Sequence, residues 1–272
     1  MSNKPGIHFI GTAHNDPQGP ERLQKALEYE QPDIVTVEFD DHLLKVWEAV
    51  SNYRNDFLNG ARLMNTYFNQ GLDDMIERLA TYQYEVAQAL EFEKKYDLLV
   101  KGVDYNPTIP ASRVEQATFL LSPYVIFLDT QRICSKMDVV GRQATSLFKR
   151  LLYQRCESLL AFLRVPVLII ESRYDIFQRY FDAENVKQKF PDLDRYCTEH
   201  ELSEISFGEN PEDIERDAMA SSQIEQLVQP DIKIVHVGGL FHGLDDAKDR
   251  TLFSRLRRYN PTRATLKWYE DK

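Results

Sequence analysis

The feature that most constrains the fold is one pattern written twice, at opposite ends of the chain. Near the start stands Ile7-His8-Phe9-Ile10-Gly11-Thr12-Ala13-His14, and near the end Val235-His236-Val237-Gly238-Gly239-Leu240-Phe241-His242. Both fit apolar-His-apolar-x-Gly-x-x-His. The composition gives 11 Gly and 6 His in 272 residues, so chance predicts about 0.2 G-x-x-H matches, and two occur in like contexts. Each run reads as a buried strand. A Gly at its end lets the backbone turn or approach a ligand closely. The two G-x-x-H segments begin 228 positions apart. If they serve one site, both ends of the chain belong to one sheet. That predicts a single domain over 1–272 with a helical insertion or lid at about 105–205.

The segments between these ends support an α/β class. Pro20 to Glu30 has Leu23, Ala26 and Leu27 at helical spacing, with Pro20 in the first turn. Ile34-Val35-Thr36-Val37-Glu38-Phe39 is a second, β-branched strand, so the opening is a βαβ unit with parallel strands. Leu72 to Tyr96 reads as a helix and Leu98 to Asp104 as a third strand. Ser122 to Leu163 predicts one long helix or two joined near Gly141, and Val165 to Glu171 fits either strand or helix. Residues 183–211 read as short helices and loops. Pro211 to Leu227 is a helix, capped by Asn210. A strand at 232–237, a helix from Asp246 to Tyr259 and an edge strand from Ala264 to Tyr269 complete the series. The expected architecture is a central mixed, mainly parallel sheet built from two related halves and flanked by helices.

Composition narrows the class of function. Net charge is −10, with 43 acidic and 33 basic residues, which argues against a general nucleic-acid binder. It is compatible with a carboxylate-rich cation site. The longest apolar run, Val165 to Ile170, falls far short of a bilayer span. Residues 1–5 lead into a strand-like run without the features of a secretory signal. Cys134, Cys156 and Cys197 form no C-x-x-C pair, which fits neither a disulfide framework nor a structural zinc site. The expectation is a cytoplasmic protein with a peptide or small-molecule substrate, no nucleic acid and no membrane span. An exposed face of the long helices offers a surface for a homodimer.

Ligands of parallel α/β sheets bind at the carboxyl edge of the strands. His14 and His242 are placed there by their Gly-ended strands, and Glu38 ends the second strand on the same edge. Two imidazoles and one carboxylate are a common ligand set for a catalytic divalent metal with open positions. Asp104 ends the third strand at that edge. His8 and His236 lie within strands and read as core histidines with satisfied hydrogen bonds, a supporting role behind the site being the alternative. His42 and His200 have no partner pattern. Asp40-Asp41 suit the start of the next helix.

These residues also carry a resemblance. Gly11-Thr12-Ala13-His14 followed by Pro32-Asp33-Ile34-Val35-Thr36-Val37-Glu38 resembles the opening of the TraB/Tiki family. Glu215-Arg216-Asp217-Ala218-Met219-Ala220 is similar to that family's E-R-[ND]-x-x-M-A helix, and Val237 to Gly243 to its second G-x-x-H. The matches run in the family's order and bracket residues 7–243. Leu240-Phe241 stands where the family has small residues, and 105–205 shows no match. The wider superfamily takes in metalloproteases, erythromycin esterases and haem-binding ChaN-like proteins. The resemblance implies a metal-dependent, peptidase-like hydrolase with His14, Glu38 and His242 holding the metal. Mn or Co is more in keeping with the family than Zn. It implies Glu215 or a nearby carboxylate as a base, or Glu215 as a partner behind the ligands, with Asp104 as another acidic residue of the site. Arg216 would position substrate, stabilise an oxyanion or orient Glu38, while Asp217 reads as a surface charge of its helix. Two rival readings are a metal-independent, esterase-like hydrolase with a His base and a non-enzymatic peptide- or haem-binding protein.

Overall fold

In a computed structural model of the chain, every strand pairing among the described residues is parallel. Described are residues 6–68, 73–104, 113–136, 165–182 and 211–272, together with 146–148, 150–151, 195–196 and 199. Five strands lie in one sheet: β1 (Gly6–Thr12), β2 (Ile34–Val37), β3 (Leu99–Gly102), β4 (Lys233–Gly239) and β5 (Thr262–Thr265), in the order β3-β2-β4-β1-β5. The expected α/β class is observed, and the sheet, expected to be mixed and mainly parallel, is wholly parallel among the described residues. The reason is visible in burial. Residues 7–12 of β1 and 234–239 of β4 are buried throughout, as in a sheet covered on both faces.

β1 and β4, which carry the repeated pattern, are adjacent from Gly6↔Lys233 to Thr12↔Gly239. β2 lies on the other side of β4, so Glu38 sits one strand removed from His14. The register pairs Gly11 with Gly238 and Phe9 with His236. The two copies of the pattern are therefore out of step by one residue. In a β-strand that slip exchanges faces. His8 shares a face with Thr262 of β5, and His236 shares the opposite face with Phe9 and Thr36.

The helices covering the sheet are α1 (Gly19–Glu30), α2 (Asp41–Phe68), α3 (Asp73–Ala80), α4 (Tyr84–Tyr96), α5 (Arg113–Ser135), α6 (Val167–Phe181), α7 (Pro211–Leu227) and the short α8 (Leu252–Arg255). The principal core joins Ile10, Leu23, Leu27, Val35, Val37 and Ile234. α6 adds Ile170, Tyr174, Phe177 and Phe181 to that core. It thus belongs to the sheet's own packing although it lies within the span expected to be an insertion. A second cluster unites Leu58, Ala61, Ile76, Leu79, Tyr124, Phe127 and Phe148.

Several boundaries differ from expectation for local reasons. Residues 72–96 do not form one helix: α3 and α4 are separated at 81–83, where Gln83 has φ 57°. The ambiguous segment after Pro166 is helical. The helix expected from Asp246 is reduced to α8. Asp249 is left-handed at φ 53°, and the Thr251 side chain caps α8 by accepting the Ser254 N–H. The last strand ends at Thr265, and Leu266–Asp271 forms a 3-10 helix whose Trp268 and Tyr269 rings pack on Tyr29 of α1. The stretch round Gly141, most of 183–211 with Asn210, and Cys156, Cys197 and His200 lie outside the described residues.

Candidate active site

At the carboxyl edge of the sheet, three of the expected residues converge. His242 Nε2 lies 3.0 Å from Glu38 Oε1, and His14 Nε2 lies 3.8 Å from Glu38 Oε2. Glu38 reaches this point from β2 by crossing the bare backbone of β4. A Cβ at Gly238 would stand 2.9 Å from the Glu38 carboxyl carbon and 2.6 Å from His236 Nε2. Only glycine leaves that passage open. The next residue fixes the carboxylate, because the Gly239 N–H donates to Glu38 Oε2 at 2.7 Å. His242 follows on a 3-10 helix, Leu240–Gly243. Its bulky neighbours are accommodated: Leu240 is buried, and Phe241 packs edge-on against Phe177 of α6.

Each imidazole turns its other nitrogen to a carboxylate. His14 Nδ1 pairs with Glu85 Oε1 at 2.9 Å, and His242 Nδ1 with Asp217 Oδ1 at 2.6 Å. Asp217 is buried and also accepts the Leu252 N–H at 2.9 Å. The turn carrying His14 is pinned from both sides. The Ala13 N–H donates to the Tyr174 hydroxyl, which donates to Asp16, while the Tyr84 hydroxyl donates to the Ala13 carbonyl. Asp16 in turn pairs with the buried Arg22.

This arrangement polarises the titration of the three groups. Burial opposes charge on His242, but Glu38 and Asp217 outweigh it and raise its pKa. For His14, desolvation is likewise outweighed by Glu85 and Glu38; its side chain is 56% exposed, so solvent weakens that pull. Glu38 is held below the ordinary carboxylate range: burial pushes it up, and His242 and His14 pull it down further. The two imidazoles and the carboxylate thus favour one another's charged forms. Behind this cluster, burial lowers the His236 pKa to about 4. Its Nδ1 meets the Thr36 hydroxyl at 3.0 Å, and its Nε2 has no hydrogen-bond partner among the described residues.

The remaining expected residues take other places. Asp104 and Arg216 form a bidentate pair, from Arg216 Nε to Asp104 Oδ1 at 2.9 Å and from Nη2 to Oδ2. The guanidinium fork expected to hold substrate is thus occupied, and it ties α7 to the end of β3. Glu215, expected as a base, is exposed on α7. The carboxylate that reaches the site from this helix is Asp217, which the sequence reading placed on the surface. Its signal lay in helical phase: Asp217, Ala220, Ser221 and Ile224 form one buried stripe. Glu85 had no comparable signal. It arrives through the break between α3 and α4.

The donor chemistry suits a divalent cation in part. Nitrogen and oxygen atoms 3.0 and 3.8 Å apart are within the separation of two ligands each about 2.0–2.2 Å from a shared ion. The Nδ1–carboxylate pairs are the partners that metal-ligating histidines ordinarily have. Among the described residues, however, no group of three or more His, Cys, Asp or Glu side chains is placed to hold a metal ion. No described helix is long and apolar enough to cross a membrane. No protein-family model, no curated protein and no solved structure matches the chain.

Proposed function

We propose that the chain is a metal-dependent hydrolase, peptidase-like in substrate, with His14, Glu38 and His242 as the ligands of a divalent ion. One observation carries the reading. Two histidines from opposite ends of the sequence present Nε2 to the same carboxylate while Glu85 and Asp217 hold each Nδ1. The TraB/Tiki resemblance of the same residues supports it and favours Mn or Co. The donor set itself also accepts Zn.

A bound divalent ion would lower the pKa of a water and polarise a carbonyl. The chain's own residues do the rest. Glu85 and Asp217 accept the Nδ1 protons, which fixes each ring's orientation and leaves Nε2 for coordination. The Gly239 N–H prevents Glu38 from turning away. Arg216, paired with Asp104 beside the cluster, contributes positive potential rather than a free fork. The exposed position of Glu215 gives no support to a role as base. The carboxylates beside both imidazoles favour their protonated forms, which weighs against a metal-free mechanism with a His base.

The test is metal analysis of protein purified without chelation, followed by peptide hydrolysis assays before and after chelator treatment. Bound divalent metal, lost in His14→Ala and His242→Ala, is expected. Protein that neither carries nor takes up Mn, Co or Zn sinks the proposal. Hydrolysis that survives chelation yet disappears in His14→Ala would replace it with the metal-independent alternative.

A further inference from the structure

Away from the His–Glu–His cluster, toward the amino ends of the strands, a second set of polar side chains lies in line. Thr262, the first residue of β5, pairs with His8 of β1 in the sheet register, and its Oγ1 is 2.7 Å from His8 Nδ1. His8 Nε2 is 2.6 Å from the Tyr269 hydroxyl, which donates to Glu30 Oε1 at 2.7 Å. Glu30 Oε2 accepts from Lys233 Nζ at 2.7 Å. Counting donors fixes the tautomer. The Tyr269 hydroxyl has one proton and gives it to the Glu30 carboxylate, so it accepts the His8 Nε2–H. Burial keeps the ring neutral by holding its pKa at about 4. The lone pair is therefore on Nδ1 and accepts the Thr262 hydroxyl proton.

A hydroxyl, an imidazole within hydrogen-bond reach and a third group that orients the imidazole make up the constellation of an activated nucleophile. This one adjoins open space. Thr262 is exposed, and with His8 it lines a cavity of about 560 Å³ along the outer side of β5. That volume lies within the ~300–1,000 Å³ of ligand pockets. Phe181, Phe253, Ala264 and Trp268 give it apolar walls. Arg257 and Arg263 are matched there by Asp182 and Asp245, so charge favours neither a cation nor an anion.

We propose that Thr262 is a nucleophile, activated by His8, that takes the acyl group of an apolar thioester in this cavity. The site is separate from the proposed metal centre. Thr262 Oγ1 attacks the thioester carbonyl carbon as its proton passes to His8 Nδ1. The new O–C bond forms, the C–S bond breaks, and the leaving sulfur takes the proton from Nδ1. Water then attacks the Thr262 ester; its proton passes through Nδ1 to Oγ1, and the acyl group departs as a carboxylic acid. Glu30, acting through Tyr269, steadies the imidazolium that forms in each step. The weakness of the base selects the donor. A buried imidazole gives little help in forming the alkoxide, so the carbonyl must be reactive and its leaving group good. A thiol, ordinarily near pKa ~8.5, meets that need better than an alcohol or an amine.

The test incubates the full chain, with chelator present, with the N-acetylcysteamine thioester of hexanoic acid. Thiol release is followed by colorimetry and the protein by intact-mass and peptide mass spectrometry. The chelator keeps the outcome independent of the metal reading. Thiol release above the rate of heat-denatured chain is expected, with a hexanoyl group on Thr262 in acid-quenched samples. Thr262→Val, an exposed and nearly isosteric change, should remove both signals, and Thr262→Ser should retain them. His8→Gln should slow release by about 100-fold. Tyr269→Phe, which cuts the link to Glu30 but keeps the ring, should slow it at least about tenfold and serves should His8→Gln fail to fold. Release no faster than that of denatured chain overturns the proposal. So does release that persists in Thr262→Val, or a hexanoyl group found only on another residue. A rate unchanged in both His8→Gln and Tyr269→Phe removes the activated nucleophile and overturns it as well.

Discussion

Gly239→Ala separates folding from function at this site. Gly239 has φ −58° and ψ 145°, ordinary for any residue, so a side chain brings no backbone strain. Its Cβ would stand 3.2 Å from His14 Nε2, 3.4 Å from His242 Cδ2 and 3.5 Å from Glu38 Oε2. The closest contact asks for a shift of a few tenths of an ångström from His14, which is half exposed. Replacing Gly by Ala also restricts the unfolded chain, worth about 0.4–1 kcal/mol where the native conformation permits it. Stability should therefore change little, with a melting temperature within about 3 °C of wild type. The methyl group nevertheless touches all three proposed ligands and fills the hollow between them. A drop of at least about 100-fold in Mn or Co affinity is expected, close to 2.7 kcal/mol. Calorimetric titration of chelator-stripped protein measures it, and a thermal melt of the same sample reports the fold. Wild-type affinity in the variant refutes the placement of the site, and a melt lowered well beyond that range refutes the packing argument.

Asp217→Asn should weaken metal binding by about 10–100-fold, as removal of a carboxylate behind a ligating histidine does elsewhere; unchanged calorimetric affinity would argue that His242 is no ligand. Tyr174→Phe removes the acceptor of the Ala13 N–H and a donor to Asp16, so urea unfolding should show a loss of about 1–3 kcal/mol, and an unaltered midpoint would count against the pinned turn. Burial holds His8 and His236 near pKa 4 against an ordinary 6.5. The folded chain therefore keeps them neutral where the unfolded chain protonates them, so their stabilisation is present above pH 6.5 and lost as pH falls toward 4. Each contributes about 3 kcal/mol to that loss, and a His236→Asn variant should show a shallower decline of unfolding free energy between these limits. Because Glu38, Glu85 and Asp217 favour protonated imidazoles, metal binding must release protons, and affinity should rise with pH through the neutral range; a flat profile would contradict the ligand assignment.

The first four strands and the three converging residues were legible because their signals are local. A β-branched run between a Pro and an acidic residue, or a Gly three positions before a His at a strand end, dictates placement at the carboxyl edge of a parallel sheet. The helix Pro211–Leu227 was legible for the same reason, with Pro at its first position. What could not be read depends on phase and on partners distant in sequence. Glu215 and Asp217 are two residues apart, and only the direction of the helix's buried stripe decides between them. The competition for Arg216 was likewise invisible, since Asp104 lies 112 positions away and gives no sign of having a partner. Glu85 depends on a break at Thr81-Tyr82-Gln83, a segment with neither Gly nor Pro to announce it.

The repeat itself carries a further lesson. Two copies of one pattern suggest a symmetric pair of half-sites, yet the register between β1 and β4 slips by one residue. The slip sends His8 to one face, where it meets Thr262 Oγ1 at 2.7 Å and the Tyr269 hydroxyl at 2.6 Å, away from the proposed site. His236 goes to the other face, beneath Glu38. Past the strands, the chain turns and the slip no longer matters. His14 and His242 are free to converge because each is carried by its own loop, one held by Tyr84 and Tyr174 and the other by Asp217. The extra glycine in the second copy has its explanation in the same geometry. With Gly238 beside Gly11, β4 presents bare backbone where a third strand's carboxylate must cross. The asymmetry that spoils the repeat as a repeat is what admits Glu38 between the two histidines.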